Sequence, residues 1–295
     1  MYELIQAGEC SYYIDCPAKI GVYKASENGV YLIDSGGDKD AGRRIKKVMD
    51  AQGWTVRGIV NTHAHADHTG GNAYLQKQYG CKAFARGAEA AIGRNPELEP
   101  ALLYGGRPYA ELRGKFLLAQ PSEIFDATDP DFPAELELIP LPGHYFDMCA
   151  VRTPDGTLFM ADCVSSPETL AKYRVSYIYD VEKYLQTLYD IENLRAPLFV
   201  PAHAPVCTDM GELARVNRAA VLEIADAVLE LCREGLDFER LLKAVFDRFG
   251  LHMTYQQYIL VGSTLRSYLS WLKDGGRVRA EIYDNMLVWK TAENG

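Results

Sequence analysis

Asn61-Thr62-His63-Ala64-His65-Ala66-Asp67-His68-Thr69-Gly70-Gly71-Asn72 packs three imidazoles and a carboxylate into the six residues 63–68. Such a run offers little apolar surface to bury. Buried without partners, each polar side chain would cost roughly 2–7 kcal/mol of desolvation. Imidazole nitrogen and carboxylate oxygen are the donors that suit zinc and its borderline neighbours, so a metal site is the economical reading. The chain has only six histidines, and His63, His65, His68, His144 and His203 all follow strand-like runs in Pro/Gly/Ala-rich contexts. His252 stands apart from them and reads as an ordinary surface or core histidine.

Working outward, 295 residues suffice for one large domain or two modest ones. Hydrophobic content of 48% and charged content of 24% fit a folded globular protein and exclude extended disorder. The stretch from Met1 to Gln6 lacks a basic region followed by an apolar core, so no signal peptide is expected. No apolar run approaches the roughly 20 residues that cross a bilayer. Seven scattered cysteines, an odd number, read as free thiols in a reducing cytoplasm. A net charge of −9, from 31 basic and 40 acidic residues, disfavours nucleic acid as a partner, because such binding rests on neutralising phosphates. A cytoplasmic enzyme with a small-molecule substrate and no membrane attachment is expected, with room for a homodimer.

Alternation and turn residues predict strands at 11–15, 20–24, 30–34, 58–61 and 82–85. A helix over 39–52 begins at an Asp38 or Asp40 cap and ends at Gly53, and another covers 70–79 with Gly80 as its stop. This strand–helix alternation means a sheet with helices on its outer face. Residues 87–121, broken by Pro96, Pro100, Gly105, Gly106, Pro108, Gly114 and Pro121, read either as a lid or as a helical excursion over a sheet edge. Strands resume at 135–139, 148–151 and 158–161, followed by a helix over 180–195. His144, Asp162 and His203 each fall just after a strand, so they share one rim of the sheet. After Cys207 the pattern turns helical: Asp209-Met210-Gly211-Glu212 reads as a capping box, with helices from there to Gly235, over 238–249 and over 255–272. A hairpin over 277–290 turns at Asp284-Asn285. The boundary is placed at 207/208, with residues 208–295 forming a small winged-helix-like unit.

The ordered set His63-Ala-His-Ala-Asp-His68, His144, Asp162 and His203 resembles the metallo-β-lactamase superfamily over roughly residues 1–207, and within it the glyoxalase II-like hydrolases. The resemblance implies an α/β fold, an αββα sandwich with a metal site at one sheet edge. It also implies two metal positions, zinc above all, with iron or manganese also suited. His63, His65 and His144 would hold the first, Asp67, His68 and His203 the second, and Asp162 would bridge them. The activity so implied is hydrolysis of an ester, thioester, lactone or related acyl bond by a metal-bridging hydroxide. Asp67, Asp162 and Tyr145 are the candidate catalytic residues, Tyr145 because it adjoins His144 and could donate a proton or hydrogen bond. Asp34 is a candidate to orient a ligand histidine. Two other activities occur on the same pattern: a metal-dependent nuclease or phosphodiesterase, and a mono-iron sulfur dioxygenase. The chain departs from the family pattern in having Ala161 and Ala202 where glycine is usual before Asp162 and His203, and Tyr145-Phe146-Asp147 after His144. Cys163, beside Asp162, reads as a small core residue.

Overall fold

A computed structural model describes residues 2–292. The chain runs through β1 (Glu3–Gln6), β2 (Ser11–Asp15), β3 (Ile20–Lys24), β4 (Gly29–Ile33), α1 (Lys39–Gln52), β5 (Thr55–Val60), α2 (Ala66–Thr69), α3 (Asn72–Tyr79) and β6 (Lys82–Ala85). Next come α4 (Ala88–Arg94), α5 (Leu98–Tyr104), a 3₁₀ turn at Ala110–Arg113, β7 (Ile124–Asp126), β8 (Glu137–Pro140), β9 (Cys149–Arg152) and β10 (Leu158–Ser165). After α6 (Pro167–Tyr173), α7 (Val181–Glu192) and β11 (Phe199–His203) follow α8 (Gly211–Leu231), β12 (Leu236–Asp237), α9 (Phe238–Phe249), α10 (Tyr255–Asp274), β13 (Val278–Tyr283) and β14 (Met286–Thr291).

Two sheets pack face to face. The first orders β1 to β7 in sequence, antiparallel from β1 to β4 and parallel from β4 to β7. The second orders β11-β10-β9-β8, with β10 and β11 parallel. Strand β4 shows how alternation builds the layers. Val30 and Leu32 join Ile45 and Met49 of α1 in an outer core, whereas Ile33 joins Val151, Phe159 and Val200 of the second sheet between the layers. Helices α1 and α3 cover the first sheet, and α7 and α8 pack on β10 of the second. The result is the expected αββα sandwich with a helical C-terminal region.

Local sequence chemistry accounts for the element ends. Asp38 caps α1 by accepting from Asp40 N and Ala41 N, and Gly53 closes it at φ 69°. At the start of α8 the capping box is not formed: the helix begins at Gly211, and Asp209 Oδ1 accepts from Gly211 N instead. Asp284 and Asn285 both take positive φ, 45° and 59°, as a two-residue hairpin turn requires. Residues 87–121 carry three short helical pieces between irregular stretches, with α4 against β6 and β7, and with α5 and the 3₁₀ turn against α10. The last sheet orders β12-β14-β13. One apolar core runs unbroken from Ala64 and Met160 of the sandwich to Leu265 and Val278, across the 207/208 position. No described helix is long and apolar enough to cross a membrane.

Candidate metal centre

Strand β5 ends at Val60 and delivers the histidine run to the rim where both sheets meet. Asn61 pins the loop: its amide donates to the His68 carbonyl at 3.1 Å and accepts from Asn72 Nδ2 at 2.7 Å. Gly70 and Gly71 let it lie against the loop after β4, where an added Cβ would stand 2.2 Å from Gly37 C and 2.1 Å from Ser35 O. From the second sheet, His144 follows β8, Asp162 sits within β10 and His203 ends β11. Asp162 is aimed by an irregular strand. The β10–β11 register shifts on both sides of Ala161, which is itself held at φ 51°. A non-glycine residue there stores about 1–3 kcal/mol of strain. Alanine thus occupies the left-handed position where the family pattern has glycine.

The seven predicted ligands fall into two groups, His63, His65 and His144, and Asp67, His68, Asp162 and His203, with the donor atoms in each within 4.8 Å of one another. In the first, His65 Nδ1 lies 3.0 Å from His63 Nε2 and 3.2 Å from His144 Nε2. In the second, His203 Nε2 lies 3.4 Å from Asp67 Oδ2 and 3.2 Å from Asp162 Oδ2, and His68 Nε2 lies 3.1 Å from Asp162 Oδ1. Asp162 Oδ2 also faces the first group, 4.0 Å from His63 Nε2 and 3.7 Å from His144 Nε2. Tetrahedral zinc with nitrogen ligands at 2.0–2.1 Å would have edges of about 3.3 Å. The observed spacings are of that size. His68 Nε2 and Asp162 Oδ1 are buried without a hydrogen-bond partner, their 3.1 Å contact lacking hydrogen-bond geometry. A divalent cation satisfies both atoms, so the donor set fits a divalent metal.

The outward nitrogens are also engaged. His68 Nδ1 donates to Asp34 Oδ2 at 2.8 Å, His144 Nδ1 to Tyr177 O at 3.1 Å and His203 Nδ1 to Pro17 O at 3.0 Å. His63 Nδ1 meets Thr62 Oγ1 at 3.0 Å, and that hydroxyl donates to Asp34 Oδ2 at 2.9 Å. Each bond places the proton outward and turns the Nε2 lone pair toward the centre. Asp34, at φ 68°, thereby holds His68 directly and His63 through Thr62.

Electrostatics sort the groups further. Burial holds His63, His65 and His144 below the ordinary imidazole range, His65 at about 3, which keeps them in the neutral, ligating form. The Asp162 carboxylate pushes His203 up to about 10 against its burial. Burial alone would lower His68, but Asp162, Asp67 and Asp34 outweigh it and hold it well above its usual value. The carboxylate side of the centre therefore draws positive charge.

Tyr145 does not face the cleft. It is fully buried, with its ring 4.2 Å from that of His65 and its hydroxyl unpaired, so it backs the histidine from the core side. Tyr177 packs beside it, 5.3 Å from the His65 ring, while Tyr173 and Tyr179 are exposed. Cys163 is buried, as read, and all seven cysteines are free. His252 is exposed and belongs to neither group.

Sequence reasoning missed Thr62 and two glutamates. Glu89 of α4 accepts from Ala64 N at 2.9 Å and from Asp147 N at 2.8 Å, and Glu99 of α5 faces Ala66 N. Both are buried, and burial raises both carboxyls, Glu89 to about 7. They lie against alternate backbone N–H groups of the histidine loop, whose short helix α2 has no side-chain cap of its own. The available signal was a single acid inside an apolar helical run, as in Ala88-Glu89-Ala90-Ala91-Ile92.

The family model described as the metallo-beta-lactamase superfamily matches residues 14–203. The lactamase-like protein aptB of Emericella nidulans is 28% identical over 186 residues, which are 62% of this chain and 50% of that protein. A hydroxyacylglutathione hydrolase of Methylococcus capsulatus is 34% identical over 86 residues, 27% of this chain and 33% of that protein. The chain thus spans half or less of the length of these curated relatives. A beta-lactamase domain protein from Burkholderia ambifaria has the same fold, with a TM-score of 0.70 at 17% identity over 98% of this chain and 94% of that one. The family match runs from the end of β2 through β11 and takes in every one of the seven converging donors, and the chain belongs to the metallo-beta-lactamase superfamily.

Proposed function

We propose that the protein is a binuclear metal hydrolase that cleaves an ester, thioester, lactone or related acyl bond of a small molecule. The observation that carries this reading is the reach of Asp162. Its Oδ2 faces His203, His144 and His63 while its Oδ1 faces His68, so one carboxylate serves both donor groups. On this reading His63, His65 and His144 hold one zinc, Asp67, His68 and His203 hold the other, and Asp162 is shared. A divalent metal at such a centre acidifies water and polarises an acyl oxygen. The chain's own residues supply the rest. Asp34 and Thr62 fix the imidazole tautomers, Tyr145 and Tyr177 keep bulk water from the back of His65, and Glu89 and Glu99 hold the loop geometry. The acyl thioester in the name of the hydroxyacylglutathione hydrolase relative supports the substrate class.

We read residues 1–207 as the hydrolase domain and 208–295 as a winged-helix-like unit docked on it. The order α8-β12-α9-α10-β13-β14 supports that reading. The candidate recognition helix α10 has Arg266 as its one arginine, stacked on Phe238 at 3.8 Å, which argues against a role on nucleic acid. The test is metal analysis combined with a panel of acyl thioesters, lactones and phosphodiesters. Two zincs per chain with acyl turnover, both lost in Asp162→Ala, are expected. One iron with oxygen uptake, or cleavage of phosphodiesters alone, would sink the proposal.

A further inference from the structure

A cavity of about 440 Å³ opens against the centre on its Asp67 and His203 side. Its walls are Tyr2, the turn at Cys16, the first turns of α1, and Lys115 and Phe116 of the 87–121 segment. The charges on these walls are unevenly matched. Asp38 Oδ2 lies 2.8 Å from Lys115 Nζ, and its Oδ1 is spent on capping α1. Asp40 lies 2.8 Å from Arg43 Nη1. Asp67 is committed to the metal-ligand cluster through His203. Arg44 has no carboxylate at ion-pair distance among the described residues, and its guanidinium stands 5.2 Å from the centroid of the Tyr2 ring. Helix α1 carries five of the chain's 31 cations, Lys39, Arg43, Arg44, Lys46 and Lys47, in a protein of net charge −9. The Cys16 thiol adds no anion, since burial pushes it up to about 11 and it donates to Ile14 O and Ala18 O.

We infer that this cavity receives one arm of the substrate and that Arg44 selects arms ending in a carboxylate. The inference rests on the acyl hydrolase reading above. Tyr2 and Phe116 give the arm an apolar passage, and the planar guanidinium fork at the cavity wall matches a carboxylate in a bidentate geometry. A neutral arm of the same length would leave the guanidinium without its counter-charge, whereas the paired Asp38 and Asp40 offer no equivalent site to an ammonium.

Two measurements test it. The first is calorimetric titration of the metal-free protein with glutarate, which reads the cavity without any turnover. Binding should weaken about tenfold in Arg44→Gln and stay unchanged in Lys47→Gln, which removes the same charge outside the cavity wall. The second is hydrolysis by the zinc-loaded enzyme of two matched thioester pairs. One pair is S-glutaryl and S-valeryl N-acetylcysteamine; the other is the S-acetyl thioesters of 3-mercaptopropionate and of its methyl ester. The carboxylate member of one pair should have a kcat/KM about tenfold higher, and the ratio should fall toward one in Arg44→Gln. Thioesters cleaved without preference, together with glutarate binding indifferent to Arg44, would overturn the inference and leave the hydrolase reading standing. Arg44-dependent glutarate binding with no thioester cleaved would keep the carboxylate site and overturn the acyl hydrolase reading, and with it the site's role toward a substrate arm.

Discussion

Replacing Asp34 with asparagine isolates the tautomer control of the metal centre, because asparagine tolerates the left-handed backbone, φ 68°, at this position. The carboxylate accepts from Thr62 N at 2.8 Å through Oδ1, and from Thr62 Oγ1 at 2.9 Å and His68 Nδ1 at 2.8 Å through Oδ2. An amide keeps one acceptor and gains a donor. With its oxygen on Thr62 N, its NH₂ faces His68 Nδ1, so the imidazole proton has to move to Nε2, the atom that faces Asp162 and Asp67. With the amide flipped, two N–H groups meet in a buried site at a cost of about 1–3 kcal/mol. Either arrangement weakens the second donor group, and loss of such an orienting partner costs about 10–100-fold in metal affinity, or about 1.4–2.7 kcal/mol. Competition against a chromophoric chelator, with both metal equivalents counted, reads this directly. The group of His63, His65 and His144 should lose less, since Asp34 reaches it only through Thr62. A folded Asp34→Asn protein that binds both equivalents within twofold of wild type would refute the reasoning.

Glu89 gives a pH prediction. Burial holds its carboxyl at about 7 in the folded chain, against an ordinary 4.5. A raised carboxyl stabilises the fold fully below its unfolded value, and the contribution disappears as pH rises through the folded value, a change of about 3 kcal/mol. Glu89→Gln removes that slope, so its stability relative to wild type should rise by about 3 kcal/mol between pH 4.5 and 7 in urea melts; parallel curves would contradict it. Gly143, at φ 117°, leaves no room for a side chain: a Cβ there would lie 2.2 Å from Tyr184 N at the start of α7. Gly143→Ala should cost about 3 kcal/mol or more and displace His144, and a variant within about 1 kcal/mol of wild type in chemical denaturation would show that α7 yields freely.

What could be read from the sequence was local in origin. The Asp38 cap, the Gly53 and Gly80 stops and the Asp284-Asn285 turn depend on neighbours a few residues away, and each forms as expected. The histidine run was legible because its spacing has no apolar use. Strands β7 and β12 were missed, being three and two residues long and without room for alternation, and β1 was missed because Glu3 and Gln6 leave it only two apolar residues. The capping box at Asp209 failed because the helix starts two residues later and the Asp209 carboxylate is taken up by Gly211 N. Glu89 lies 25 residues from the N–H it serves at Ala64. No periodicity reports a bond of that kind, and the lone acid in the apolar run 88–92 names no partner. Tyr145 adjoins His144 in sequence, yet its side chain points into the core, a choice set by packing against His65 and Phe146.

The donors are split across the seam of the sandwich. His63, His65, Asp67 and His68 ride on the loop after β5, while His144, Asp162 and His203 belong to the second sheet. Neither half owns a complete cage, so tight uptake of an ion has to wait until the two layers have met. The ion then acts as a rivet, and its capture marks the moment of assembly as well as the onset of chemistry.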